Sequence, residues 1–225
     1  MKKTKDLTRR EFIKATAVSG IGLSIVPAEV LGRTGRIAPS DKINVALIGS
    51  GTQALKMLPG WLNRPELQLV SVCDPNRESY DYPLWGRSKG ETKGAPGGRE
   101  VGRARINAFY AEKAGKSAYK GCSAYADFRE LLEKEEGVDA VFILTPDHLH
   151  ATVAAAAMKK GIRVGSHKPV GNFMHETRVV CEMAKQTKIP TQLFAFQDPK
   201  ELYVLKEWIS QGLIGEVTEL HRWTN

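Results

Sequence analysis

The chain has 225 residues, with 33 Lys+Arg against 25 Asp+Glu, a formal net charge of +8. Its 42% hydrophobic and 26% charged content is that of an ordinary globular chain and excludes disordered or collagen-like sequence. Cys73, Cys122 and Cys181 are odd in number, far apart and free of any C-x-x-C pair, which argues against a zinc ribbon or a disulfide framework.

Much of the positive charge sits at the front. Lys2, Lys3 and Lys5 lead into Thr8-Arg9-Arg10-Glu11-Phe12-Ile13-Lys14, followed by a mild apolar run to Pro27. That run is too short and glycine-rich to span a bilayer, so no stable membrane anchor is expected. A charged start, a short apolar stretch and small residues near Ala28 read as an export signal over 1–28, and the paired arginines resemble the twin-arginine type. The competing reading is a plain basic amphipathic N-terminus. Removing 1–28 leaves 27 basic and 23 acidic residues, +4, which takes most of the weight from a nucleic-acid partner. Export of a folded, cofactor-loaded protein to the periplasm or beyond is the expectation.

After a linker over 29–41, the pattern alternates between strand and helix from 42 to 196. Ile43 to Ile48 is a β-branched run ending at Gly49, as in a buried parallel strand. Gln53 to Leu62 reads as a helix made irregular by Pro59 and Gly60. Leu67 to Cys73 is a second strand, Asp127 to Glu136 a helix capped by Asp127, and Val138 to Leu144 a strand. His150 to Lys160 is an alanine-rich helix ended by Gly161, Ile162 to Gly165 a strand, Asn172 to Lys188 a helix and Thr191 to Phe196 a strand. Repeated units of this kind predict an α/β fold with a doubly wound parallel sheet of the Rossmann type. The stretch 78–105, rich in Gly and Arg, reads as a coreless insertion: a solvated loop, or a flap gripping phosphate or substrate. Lys200 to Gln211 reads as a helix, and an alternating strand begins at Ile214. Without a following partner strand, 197–225 reads as the start of a truncated second α/β domain.

Gly49-Ser50-Gly51-Thr52-Gln53-Ala54 is G-x-G-x-x-A, set between a strand and a helix. Gly49 permits the turn, Gly51 lets the main chain approach a pyrophosphate, and Ala54 allows close helix–strand packing. Free N–H groups and the helix dipole favour the phosphate charge. Asp74, twenty residues beyond Ala54, can accept hydrogen bonds from an adenosine ribose. A carboxylate there favours NAD, while Arg77 keeps NADP open by its capacity to pair with a 2′-phosphate. The plainer reading of Asp74 is a turn residue before Pro75.

Polar groups also gather after the later strands. Thr145-Pro146-Asp147-His148-Leu149-His150, His167-Lys168-Pro169 and Phe196-Gln197-Asp198 all fall at carboxyl ends, the edge where ligands bind in a parallel sheet. A lysine beside a substrate hydroxyl can stabilise developing negative charge or, with a lowered pKa, accept the proton. Alternatively, His148 and His150 cap the next helix and Lys168 is a surface lysine. Two histidines two apart with no third ligand make a poor metal site.

Thr145 to His150 and His167-Lys168-Pro169, together with Lys42 to Gly51, Cys73-Asp74-Pro75 and Tyr125 to Leu132, resemble the Gfo/Idh/MocA family over residues 42–225. The resemblance implies an N-terminal Rossmann domain, a C-terminal substrate-binding domain that often builds a homo-oligomer, and reversible NAD(P)-linked oxidation of a sugar or polyol hydroxyl. It implies cofactor contacts at Gly49, Ser50, Gly51, Thr52, Gln53, Ala54, Asp74, Thr145, Pro146, His148, His150, His167, Lys168 and Gln197, with Lys168, near the nicotinamide, also the catalytic lysine. Here His167 stands where the family commonly has Glu. Some relatives use NAD transiently to cleave a glycoside by oxidation and elimination, which makes a glycosidase the second expectation. The third is a non-catalytic nucleotide-binding module.

Overall fold

The computed structural model describes residues 37–83, 94–194, 199–219 and 221. The segment 1–28, the linker residues 29–36, part of the insertion (84–93) and Gln197 lie outside the described residues. Residues 37–42 contribute one 3-10 turn, Pro39–Asp41.

From Ile43 the elements run β1 (Ile43–Ile48), α1 (Thr52–Leu62), β2 (Leu67–Cys73), β3 (Ser79–Tyr82), β4 (Ala95–Gly97), α2 (Arg99–Lys113) and β5 (Ser123–Tyr125). They continue α3 (Phe128–Lys134), β6 (Ala140–Ile143), α4 (Asp147–Lys159), β7 (Arg163–His167), α5 (Met174–Thr187), β8 (Thr191–Phe194) and α6 (Pro199–Ser210). Six strands form one parallel sheet in the order β5-β2-β1-β6-β7-β8. The chain winds outward from β1 to β5, then restarts beside β1 at β6 and winds the other way. That reversal opens a crevice at the carboxyl ends of β1 and β6, where doubly wound folds bind ligands.

The period of two along β1 divides its side chains between two cores. Val45 and Leu47 pack with Leu58, Leu69 and Ile106 on one face; Ala46 and Ile48 pack with Leu131, Ile143 and Met158 on the other. Each large side chain buried this fully contributes about 1.5–3 kcal/mol. On α4, Ala151, Ala154 and Ala157 face the sheet, and their small volume lets the helix lie close.

Several boundaries shift for local reasons. Helix α4 begins at Asp147 rather than His150, because Pro146 ends the extended chain and leaves Asp147 in the first turn. Helix α5 is shorter than expected: Glu176 reaches back to accept from the main-chain N–H of Asn172 (2.8 Å) and Phe173 (3.0 Å). At its other end Lys188 adopts a left-handed φ of 56°. Asp127 caps α3 as expected, accepting from Arg129 N at 2.8 Å.

Two expectations are overturned. The stretch 78–105 is not a coreless loop, because its described residues form the antiparallel pair β3–β4 and the first turns of α2. Gly98 N donates to Ser50 O at 2.8 Å, and Gly102 lies buried against the Ser50 side chain. The alternating stretch from Ile214 forms no strand among the described residues; turns follow α6 instead. On α6 itself Tyr203, Val204, Trp208 and Ile209 are exposed.

Candidate functional site

The turn after β1 is fixed by contacts that only glycine permits. Gly49 has a φ of +93°, and an added Cβ would stand 2.5 Å from the Leu144 carbonyl and 2.6 Å from Thr145 N. Its N–H donates to Cys73 O at 2.8 Å, so the turn is tied to the ends of both flanking strands. Gly51 is the N-cap of α1 with no side-chain capping bond, which leaves the first amides of the helix available to an anion. Ala54, in the first turn of α1, is fully buried. Ser50 is also fully buried, and its N–H donates to Asp74 Oδ2 at 2.9 Å. Ser50 and Ala54 therefore shape the turn from beneath, outside the lining of the cleft.

The bare face of Gly51 meets a side chain that the sequence pattern did not reveal. An added Cβ there would lie 2.8 Å from the Tyr82 ring. Tyr82, at the end of β3, donates its hydroxyl to Asp74 Oδ1 at 2.6 Å and accepts from Asn76 Nδ2 at 3.1 Å. Burial first, and the Asp74 bond second, push the Tyr82 hydroxyl well above its usual pKa, so it keeps its proton. Thr52 Oγ1 donates to Pro83 O at 2.5 Å. Arg99 donates to Asp74 O (3.2 Å) and Pro75 O (2.8 Å), pinning the loop below. The Asp74 carboxylate, expected either to accept from a ribose or to hold the turn before Pro75, already holds three protein donors: Ser50 N, Asn76 N and Tyr82 Oη. Cys73 beside it is inert, its thiol pushed up to about 12 by burial and then by the Asp74 charge.

A cleft of about 870 Å³ runs from this turn along the carboxyl edge of the sheet. Thr145, Pro146 and His148 line it beyond β6, and His167 and Lys168 line it beyond β7. Lys168 and His148 are exposed within it. His167 is 9% exposed. Desolvation, followed by the Lys168 charge, lowers its pKa and favours the neutral ring. His150 is buried at 1% and does not line the cleft. Its Nδ1 lies 2.6 Å from Pro169 O and its Nε2 2.9 Å from Thr145 O, so the ring joins the two strand ends that present Thr145 and Lys168.

Sequence reasoning also missed the opposite wall, where Asp127, Phe128 and Arg129 line the cleft. The Arg129 guanidinium lies 4.7 Å from the Phe128 ring centroid and 3.0 Å from Asp127 Oδ2. Its main-chain N–H, the largest influence, and then its side chain hold the Asp127 carboxyl below the usual range.

The donor set suits a dinucleotide. Uncapped amides lie at one point of the cleft, and a carboxylate, a phenol and an arginine-covered ring lie beside them. Gln53 Nε2 and Thr145 Oγ1, from two lining residues, have no hydrogen-bond partner among the described residues. Among the described residues no three His, Cys, Asp or Glu side chains gather into a metal site. No helix among them is long and apolar enough to cross a membrane.

Comparison with known proteins agrees with this geometry. Residues 86–193 match the family described as "Oxidoreductase family, NAD-binding Rossmann fold" (GFO_IDH_MocA). A glycosyl hydrolase family 109 protein of Stenotrophomonas maltophilia is 28% identical over 218 residues, 95% of this chain and 41% of that protein. A levoglucosan dehydrogenase of Pseudarthrobacter phenanthrenivorans is 27% identical over 105 residues, 44% of this chain and 27% of that protein. Among solved structures, scyllo-inositol dehydrogenase from Lactobacillus casei, with bound NAD(H) and scyllo-inositol, superposes with a TM-score of 0.57. It is 18% identical and covers 79% of this chain and 43% of its own, a likeness of fold. The chain spans less than half the length of these relatives.

Proposed function

The chain belongs to the Gfo/Idh/MocA oxidoreductases, whose NAD-binding Rossmann fold it carries, and from that premise we propose that it is the dinucleotide-binding part of an NAD-dependent enzyme acting on a CH–OH group of a sugar-type substrate. One observation carries this reading: a single cleft contains both the glycine turn and Lys168. Bound NAD supplies a hydride acceptor. The residues of the chain do the rest. The Gly49–Gly51 turn and the amides of α1 hold the diphosphate, Asp74 holds the adenosine ribose, and Thr145, Pro146 and His148 line the path toward Lys168. The ammonium of Lys168 would donate a hydrogen bond to the substrate oxygen and steady negative charge on it as the hydroxyl proton passes to solvent or to a base of the full-length enzyme. Neutral His167 beside it adds no competing positive charge.

The match to the family 109 glycosyl hydrolases over nearly the whole chain supports a second outcome for the same chemistry: transient oxidation that lets the glycosidic leaving group be eliminated, addition of water across the resulting double bond, and return of the hydride. The two are separated by assaying glycosides for leaving-group release and nicotinamide absorbance together. Release without a lasting absorbance change identifies the glycosidase, and a lasting change without release identifies the dehydrogenase.

The underlying reading is tested by titrating the chain with NAD in a calorimeter. Heat and a raised melting temperature are expected, both abolished in Gly51→Asp, which sets a negative charge at the diphosphate. Silence from the unaltered chain rejects the reading. Export through the N-terminal segment belongs to the same proposal. A reporter fused to residues 1–28 is expected to leave the cytoplasm and to be retained there with Arg9→Lys and Arg10→Lys together.

A further inference from the structure

The hairpin wall gives Tyr82 a place too specific for a filler. Its ring lies between two glycines: an added Cβ at Gly51 would stand 2.8 Å from it, and one at Gly97 2.5 Å. Two side chains are thus missing so that one phenol can reach Asp74. The hydrogen bonds also fix every proton. Tyr82 spends its hydroxyl proton on Asp74 Oδ1 at 2.6 Å, while its oxygen accepts from Asn76 Nδ2 at 3.1 Å. Asp74 Oδ1 also accepts from Asn76 N (3.0 Å), and Oδ2 from Ser50 N (2.9 Å). An ionised carboxylate has about four acceptor positions, so Asp74 keeps one, and the phenol oxygen keeps acceptor capacity as well. Asp74, Asn76 and Tyr82 all line the cleft.

We propose that Asp74 and Tyr82 form one receptor for a vicinal diol, the 2′- and 3′-hydroxyls of the adenosine ribose, and that Tyr82 sets the preference for NAD over NADP. The proposal rests on the dinucleotide reading above and adds a specificity-determining residue to it. The acceptor position left on Asp74 Oδ2 and the phenol oxygen, which is tied to the same carboxylate through Oδ1 at 2.6 Å, suit two neighbouring hydroxyl donors. A 2′-phosphate brings only acceptors and negative charge. It would meet a carboxylate and a phenol whose proton is already committed, and such a site rejects a ligand that cannot complete its hydrogen bonds. Of the nearby cations, Arg99 is engaged on the Asp74 and Pro75 carbonyls and Arg129 on Asp127, while Arg77 stands exposed beyond Asp74 and is the competing influence in favour of a 2′-phosphate.

The test is calorimetric titration of the chain and of Tyr82→Phe with NAD and, separately, NADP. Phe keeps the ring between the glycines, and its melting temperature checks the fold. Loss of one hydrogen bond is expected to weaken NAD about tenfold. NADP is expected to change less than about twofold, so the preference shrinks about tenfold. Unchanged NAD affinity in Tyr82→Phe, an equal loss for both nucleotides, or tighter NAD binding each overturns the diol receptor while leaving the dinucleotide reading intact. If the unaltered chain binds neither nucleotide, the dinucleotide reading falls and takes the receptor with it.

Discussion

The two ends of the cleft are built in opposite ways. At the glycine turn, buried Asp74 ties together the main-chain amides of Ser50 and Asn76 and the hydroxyl of half-buried Tyr82, and a Cβ on Gly49 would collide with the main chain of Leu144. At the other end, Lys168 and His148 project exposed from strand ends. The first end is pre-formed by tertiary packing, which suits a ligand present in every turnover. The second end presents reactive groups but little enclosure. The contrast predicts that damage at the glycine turn costs stability and nucleotide binding together, whereas damage at the lysine end leaves both untouched.

The largest expected effect is at Gly49. Alanine there must adopt a positive φ and place its Cβ 2.5 Å from main-chain atoms that cannot move without displacing β6. Gly49→Ala should lose more than about 2 kcal/mol in urea unfolding, beyond the usual cost of a Gly-to-Ala change at positive φ. A loss under about 0.5 kcal/mol would show that the turn is not held as described. Next is Asp74→Ala, which strands Ser50 N, Asn76 N and Tyr82 Oη at once. Each buried unsatisfied group costs about 1–3 kcal/mol, softened where water enters. A fall of about 2–4 kcal/mol is expected, together with loss of nucleotide binding. Full stability with binding intact would break the link between the network and the ligand.

Much of this was legible in the sequence. The β-branched run before Gly49, the G-x-G-x-x-A spacing and Asp74 after β2 set the crossover and its acidic partner, because each depends on local pattern. The hairpin wall was not legible. Gly97 and Gly102 read as loop glycines, yet they are empty where Tyr82 and Ser50 need room, a purely tertiary requirement. Helix α2 hid for a related reason: its buried face is Gly102, Ile106 and Tyr110, four apart but begun by a glycine amid arginines. Strand β5 is three residues long, too short to show a period. His150 was grouped with the cleft residues by proximity in sequence, but the helical turn aims it inward.

His167 sits at the lysine end but, unlike Lys168, is buried, and its effect should be intermediate. Its folded-state pKa is lowered by burial and by the Lys168 charge, so folding favours the neutral ring. The unfolded chain then binds the proton more readily. The stability this contributes is complete above the unfolded value of about 6.5 and declines as pH falls through the lower folded value. His167→Gln, which cannot charge, should flatten that acid limb relative to the unaltered chain while leaving stability at pH 8 nearly unchanged. Parallel curves for the two proteins between pH 7 and pH 5 would exclude His167 as the source.

The smallest effect on the chain itself is expected at Lys168, where the contrast is sharpest. Its side chain is exposed, and removing a surface charge of this kind usually changes stability by less than about 0.5 kcal/mol. Lys168→Met should therefore melt with the unaltered protein and bind NAD with the same affinity, because the diphosphate and ribose contacts lie at the opposite end of the cleft. Hydride exchange with a sugar-type substrate should nevertheless fall by about 10²-fold or more in an enzyme of the relatives' full length, since a group that stabilises charge on a reacting oxygen acts mainly in the transition state. An affinity for NAD that drops along with turnover would place Lys168 among the binding residues, and the division between a closed binding end and an open reactive end would no longer describe the cleft.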